Sequence, residues 1–358
     1  MTSMIVVVLP GNVDDPTAPS GGNVYDRQVC TGLAAAGWPV REIAVPGDWP
    51  CPDRTSRAAL ADLLATLADG TVMLIDGLVA CGVPEVIGPH ADRLRLAVLV
   101  HLPLADETGL DPAEAAELDL AERAALSAAA AVIATSDATA RQLAARHGLA
   151  ADRIRVAVPG VPPAPLANRD PTGRRLLCVA SVTPRKGHDV LVEALATVAD
   201  LDWECLCVGA LTAAAYVDRV RQRIAYHRIG DRVTLAGPRA AATLAGTYAD
   251  ADLLILPSHA ETYGMVVTEA LACGIPVLAS DVGGVPQALG RTYAGERPGR
   301  LVPPADPAAL GAAVRRWLTD GGERERLRAA AVARRAGLPG WADTAAAVGA
   351  VLHELSRR

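Results

Sequence analysis

The feature that most constrains this chain is a rhythm. Short apolar runs rich in β-branched residues are each followed by an Ala- and Leu-rich stretch of helical length. In the first half the runs are IVVVLP, VREIAV, VMLID, LRLAVLV, AVIATS and IRVAV, with helices expected after Gly21-Gly22, from about Arg57 and from about Pro112. Strands apolar along their whole length are buried on both faces, which predicts a parallel sheet covered by helices on each side. The turn-rich stretch PGVPPAPLANRDPTG, residues 159–173, breaks the rhythm, and RRLLCVAS, WECLCVG, RVTLAG, DLLILPS and IPVLAS restart it. At roughly 150 residues per domain, 358 residues make room for two such units. The expected fold is therefore α/β, with two doubly wound domains at 1–165 and 166–337. A C-terminal helix within 338–358 is expected to lay its apolar face on the first domain.

Composition narrows the function. A chain that is 51% hydrophobic and 21% charged is outside the range of disorder. A net charge of -6 supplies no positive field for a phosphate backbone, and 3% aromatics without a single Phe leave few platforms for base stacking. Nucleic acid is excluded as a partner on those grounds. The seven cysteines are scattered and read as buried thiols of a reducing compartment. Cys205 and Cys207, two apart in one strand, lack further ligands, so no zinc is expected. The start MTSMIVVVLPG has no basic residue ahead of its apolar run and reads as a first strand, and no run reaches the ~18 residues of a membrane span. The expected location is cytoplasmic; oligomeric state is silent.

Ligands of open parallel sheets bind beyond the carboxyl ends of the strands, so the cleft between the two sheets is the expected site. In residues 257–289 an apolar strand ends at Pro257, a polar loop carries Glu261, and a helix starting near Gly264 carries Glu269. If the segment were helical throughout, eight steps would part the two glutamates by about 12 Å, beyond the roughly 5–9.5 Å of a glycosidase pair. They are read as holding different parts of one long ligand. The N–H groups of Gly264, Met265 and Val266 at the helix start suit a phosphate or sugar hydroxyls, and Glu269 suits the vicinal diol of a ribose.

A second constellation, CVASVTPRKGHDVLVEAL, places Arg185 and the chain's single lysine, Lys186, at a strand end, ahead of a helix that Asp189 can cap. A compact ammonium on a flexible stem suits a diphosphate. Gly21-Gly22 opens a helix after the first strand, and His101 ends another. Asp250 and Asp252 precede a strand and read as a turn into it rather than a metal site.

Taken together, the glycine pair at 21–22, His101, PGV at 159–161, PRKG at 184–187, Glu261 and Glu269 with seven residues between them, and GGVP at 283–286 resemble the retaining glycosyltransferases of family 4. The resemblance implies the GT-B fold of two Rossmann-like domains, with the C-terminal helix crossing back. It implies transfer of a sugar from a nucleoside diphosphate sugar, a UDP- or GDP-sugar, to a hydroxyl of a small molecule or glycoconjugate precursor, with no metal and no cofactor. By position, Lys186 with Arg185 would hold the diphosphate and Glu269 the ribose. Glu261 with Gly264, Met265 and Val266 would hold the sugar, which His101 would approach. Gly22 would admit the donor phosphate close to backbone, and the base would lie near Gly237 and Pro238. Acceptor contacts are expected in loops 10–20, 47–57 and 76–90.

Three positions depart from the family. Ala180-Ser181 stand where Gly-Arg is frequent, so Arg185 is the candidate replacement; Tyr263 stands for Phe; Gln287 stands for Glu. Competing readings are an epimerase or phosphorylase of the same fold, and a nucleotide-sugar-binding protein without turnover. A nicotinamide-dependent oxidoreductase would require a tight glycine fingerprint directly after strand one, where this chain has a long loop.

Overall fold

A computed structural model describes residues 4–15 and 20–357. It divides into two compact units, residues 1–160 with 339–358, and residues 161–338. The division falls five residues earlier in the chain than the sequence places it. The turn-rich stretch up to Thr172 forms neither helix nor strand.

The first unit runs β1 (Ile5–Pro10), α1 (Gly21–Ala35), β2 (Val40–Val45), α2 (Arg54–Thr66), β3 (Val72–Asp76), α3 (Gly77–Gly82), α4 (Pro84–Ile87), β4 (Arg95–Val100), α5 (Pro112–Ala128), β5 (Ala131–Ala134), α6 (Asp137–His147) and β6 (Ile154–Val156). Its six strands are parallel in the order β2-β1-β3-β4-β5-β6. Every residue of β1 and β3 is buried, as continuous apolar runs require, and the two faces of the sheet carry separate cores. Helix α2 starts at Arg54 rather than Arg57, because Asp53 caps it by accepting a hydrogen bond from the Ser56 N–H (2.8 Å).

The second unit runs β7 (Arg175–Val179), α7 (His188–Ala196), β8 (Glu204–Val208), α8 (Ala214–Tyr226), β9 (Val233–Leu235), α9 (Ala241–Ala249), β10 (Leu253–Leu256), α10 (Met265–Ala272), β11 (Val277–Ser280), α11 (Val285–Leu289), β12 (Gly299–Val302), α12 (Pro307–Thr319) and α13 (Gly321–Arg334). Its sheet, also six-stranded and parallel, has the order β12-β11-β10-β7-β8-β9. Strand β12, GRLV, escapes the sequence reading because it carries Gly and Arg, and only its register against β11 makes it a strand. Asp189 is not the cap of α7. Gly187 occupies that position with φ +66°, and Asp189 lies inside the first turn, where it accepts from the Tyr216 hydroxyl (2.6 Å). Asp252 is buried and engages the Arg175 guanidinium through both carboxylate oxygens (3.0 Å each), a structural role for the acid ahead of β10.

The last helix, α14 (Trp341–Ser356), belongs to the first unit. Its apolar face, with Val348, Val351 and Leu352, joins the core formed by Ile5, Leu33 and Leu74. Among the described residues, no helix is long and apolar enough to cross a membrane.

Both sheets reverse their strand order once. In the first unit the reversal lies between β1 and β3; in the second it lies between β10 and β7. Loops leaving two neighbouring strands in opposite directions leave a crevice at their carboxyl ends, so these two points are where side chains are positioned for a ligand.

Candidate functional site

In the second unit, the loop after β7 carries Arg185 and Lys186, and the loop after its neighbour β10 carries Ser258 and Glu261. The two loops can touch because Gly187 has no side chain: a Cβ there would stand 2.2 Å from the Pro257 carbonyl oxygen. The His259 N–H also donates to the Arg185 carbonyl (2.7 Å). The approach brings Lys186 Nζ to Glu261 Oε1 at 2.6 Å, and the Ser258 hydroxyl donates to the same oxygen at 2.7 Å. Arg185 lies 3.9 Å from Glu261 Oε2 and donates to the Ala260 carbonyl (3.3 Å). Its Nε is buried and unpartnered. Two cations thus stand around one carboxylate at the reversal point, a local excess of positive charge suited to an anion.

Helix α10 begins directly after this loop. Gly264 precedes it with φ +89° and accepts from the Val267 N–H (2.9 Å), and no side chain caps the helix start, where Met265 and Val266 stand first. Glu269, on the second turn, accepts a hydrogen bond from the Tyr248 hydroxyl (2.6 Å) through Oε2. Burial raises its carboxyl above the usual range, against the opposing effect of that bond. Tyr263 is buried, which pushes its phenol up to about 12. Gly237 lies just beyond β9, with φ +72°, and accepts from the Gly209 N–H (3.0 Å); Pro238 follows it.

The first unit has its own cluster at its own reversal point. His101, one residue beyond β4, places Nε2 2.8 Å from Asp26 Oδ1 and 3.3 Å from Asp76 Oδ2. Asp26 lies on α1, which follows β1. Asp76 ends β3, and its other oxygen caps α3 by accepting from the Leu78 N–H (2.6 Å). Burial alone would lower the imidazole, but the two carboxylates outweigh it and raise the ring to about 10. Burial lifts Asp26 to about 6, against the pull of His101. Tyr25 packs edge-on against the His101 ring (5.1 Å between centroids) and donates to the Ala157 carbonyl (2.8 Å). Gly22 faces the same ring: a Cβ there would lie 3.2 Å from Cδ2. The small residue makes room for His101 itself.

The structure therefore brings together Lys186, Arg185 and Glu261, with α10 leading on to Glu269, and separately His101 with Gly22. Sequence reasoning missed Asp26, Asp76, Ser258 and Tyr248. Asp76 alone carried a signal, a charge at the end of the apolar run VMLID. Two of the loops expected to contact the acceptor line a cavity of about 650 Å³ within the first unit, with Gly11, Asn12, Asp14, Asp15, Asp48 and Asp53 on its walls. Residues 16–19 of the loop at 10–20 lie outside the described residues.

Residues 167–334, almost the whole second unit, match the family described as glycosyl transferases group 1. A D-inositol 3-phosphate glycosyltransferase from Kineococcus radiotolerans is 33% identical over 66% of this chain and 60% of its own length. A D-inositol 3-phosphate glycosyltransferase 1 from Catenulispora acidiphila is 32% identical over 73% of this chain and 64% of its own length. The chain thus spans about three fifths of the length of these curated relatives. A sucrose-phosphate synthase from Thermosynechococcus elongatus superposes with a TM-score of 0.81 at 24% identity, covering 99% of both chains. Anabaena HepE in complex with UDP and glucose superposes with a TM-score of 0.73 at 18% identity, covering 99% of this chain and 100% of its own. These two share the fold, two Rossmann-like domains of GT-B type. The second unit thus carries the domain of the group 1 glycosyl transferases, of family 4 type.

Proposed function

We propose that this group 1 glycosyl transferase moves a sugar from a nucleoside diphosphate sugar to a hydroxyl of an acceptor, with retention at the anomeric carbon. The observation that carries the reading is the meeting of Lys186, Arg185 and Glu261 at the strand-order reversal of the second sheet. Lys186 and Arg185 hold the diphosphate and offset the negative charge that grows on it as it leaves. Glu261, fixed through Oε1 by Lys186 and Ser258, positions the sugar and stabilises positive charge on its ring. The start of α10 adds N–H donors to the sugar hydroxyls. Glu269, oriented by Tyr248 through Oε2, accepts from the ribose through Oε1. The base is assigned to Gly237 and Pro238, and the family resemblance assigns His101 to the transferred sugar.

The acceptor oxygen bonds to the anomeric carbon on the face from which the diphosphate departs. The bond from that carbon to the phosphate oxygen breaks, and the acceptor proton passes to the departing phosphate oxygen. The products are a glycoside of unchanged anomeric configuration and a nucleoside diphosphate. With the leaving group taking the proton, the step needs no protein base and no metal.

The curated relatives are named for inositol 3-phosphate. Four aspartates line the first unit's cavity, one of them, Asp14, paired with Arg27, and the negative charge that remains opposes a phosphate there. They support an acceptor without one.

Thermal unfolding with a panel of UDP- and GDP-sugars tests the reading, since a cognate donor raises the midpoint by mass action. Donor consumption is then expected only with a hydroxyl acceptor present. A chain that no nucleotide sugar stabilises refutes the reading, and one that is stabilised without transfer is a binder without turnover.

A further inference from the structure

Beneath the loop that carries Arg185 and Lys186 lies a second group of side chains that sugar transfer does not use. Cys178 is on β7, just ahead of the loop; His188 opens α7, just after it; Cys207 is on β8, directly opposite Cys178 in the parallel register. The three are 0%, 0% and 2% exposed, and one ligand atom from each lies within 4.8 Å of the other two. Neither cysteine is in a disulfide.

The polar atoms of this group are poorly satisfied by protein alone. His188 Nε2 has only the Cys178 sulfur, at 3.8 Å, and Nδ1 is buried without a partner. A buried ring whose nitrogens find one weak contact between them is the kind of exception that calls for a missing ion.

We propose that Cys178, Cys207 and His188 bind a zinc ion that pins both ends of the Arg185–Lys186 loop to the sheet. Zn–S bonds of about 2.3 Å and a Zn–N bond of about 2.0–2.1 Å, at tetrahedral angles, separate sulfur from nitrogen by about 3.6 Å, close to the spacing already present. Binding releases the Cys178 and Cys207 thiol protons to solvent, and these two thiolates balance the dication; Cys205, on closing the fourth position, releases a third proton and leaves the site with one net negative charge. Cys205 lies on the same strand two residues before Cys207, so its side chain leaves from the same face, and it is 2% exposed. It stands outside the group of three and swings in to close the fourth position. The expectation of scattered, unliganded thiols is thereby revised: the ligands missing beside Cys205 and Cys207 come from β7 and α7, which only the sheet register brings together. The site lies apart from the donor groups and stands whatever the loop binds.

The test is metal content. The full chain, produced with zinc in the medium and desalted, is expected to carry about one zinc per chain by mass spectrometry. Cys178→Ala and Cys207→Ala are expected to drop that below about a tenth. Because a core variant can fail to fold, unaltered chain is also stripped by chelator and titrated with cobalt. Thiolate-to-cobalt charge-transfer bands saturating at one equivalent support the site. Folded, fully reduced chain that holds less than about a tenth of an equivalent after incubation with zinc, and shows no such bands with cobalt, overturns it.

Discussion

The two strand-order reversals of this molecule carry opposite kinds of charge. In the first unit an imidazole stands between two buried carboxylates, and the group titrates within reach of ordinary pH. In the second, a lysine and an arginine stand around one glutamate, an excess of positive charge. One topological device, a crevice at the carboxyl ends of diverging strands, thus gathers an imidazole–carboxylate cluster in one unit and a cationic cluster in the other. On the proposed reading, affinity for an anionic donor belongs to the second unit and pH dependence to the first.

The largest expected effect strikes at the second cluster. Glu261→Ala is expected to fold, and to lose about two to three orders of magnitude in transfer rate. Rates near the unaltered level in a purified assay would remove Glu261 from the chemistry. Next comes Lys186→Ala, for which calorimetry with the cognate donor is expected to show roughly ten- to a hundredfold weaker binding, the loss of one charged hydrogen-bonding group. Lys186→Arg restores only part of it, since a planar fork does not replace a point charge.

The pH prediction sharpens the contrast. The ring of His101 is raised from its ordinary 6.5 to about 10, so its protonated form stabilises the first unit. That contribution is full below pH 6.5, declines above it and is gone past about 10. The difference in midpoint between the chain and His101→Gln is therefore expected to shrink steadily over that window. Asp26→Asn removes the stronger of the two partners and moves the decline to lower pH. A difference independent of pH would mean that the ring is held neutral.

Smaller effects follow for supporting residues. Gly22→Ala pushes a methyl against the His101 ring and is expected to cost about 1 kcal/mol in chemical denaturation, with a fall in turnover that donor binding does not share. Tyr248→Phe takes away the one hydroxyl on Glu269 and is expected to cost about 1 kcal/mol. It also raises the Glu269 carboxyl further, since the bond it loses is the one that opposes burial.

How far all this was legible in the sequence depends on the distance over which each feature is encoded. Among the described residues, eleven of twelve strands fall on runs read from the sequence, and those buried on both faces, such as β1, β3 and β10, write that burial into consecutive apolar residues; β12, with Gly and Arg among its four, does not. Lys186, Glu261 and Glu269 were legible as residue types at strand and helix ends. That Lys186 pairs with Glu261 was not, because the adjacency of β7 and β10 is a property of the sheet order. The same holds for Asp26 and Asp76, which reach His101 only because β1, β3 and β4 lie side by side. Asp189 misled as a cap because Gly187, with its left-handed backbone, takes that position first.

A crystal structure of the chain with a nucleoside diphosphate sugar tests the central claim most directly. The account predicts diphosphate oxygens within hydrogen-bond reach of Lys186 Nζ, the ribose hydroxyls on the Glu269 carboxylate, and the sugar beside Glu261. A nucleotide bound elsewhere, with Lys186 still closed on Glu261 and Glu269 touching only Tyr248, would contradict it.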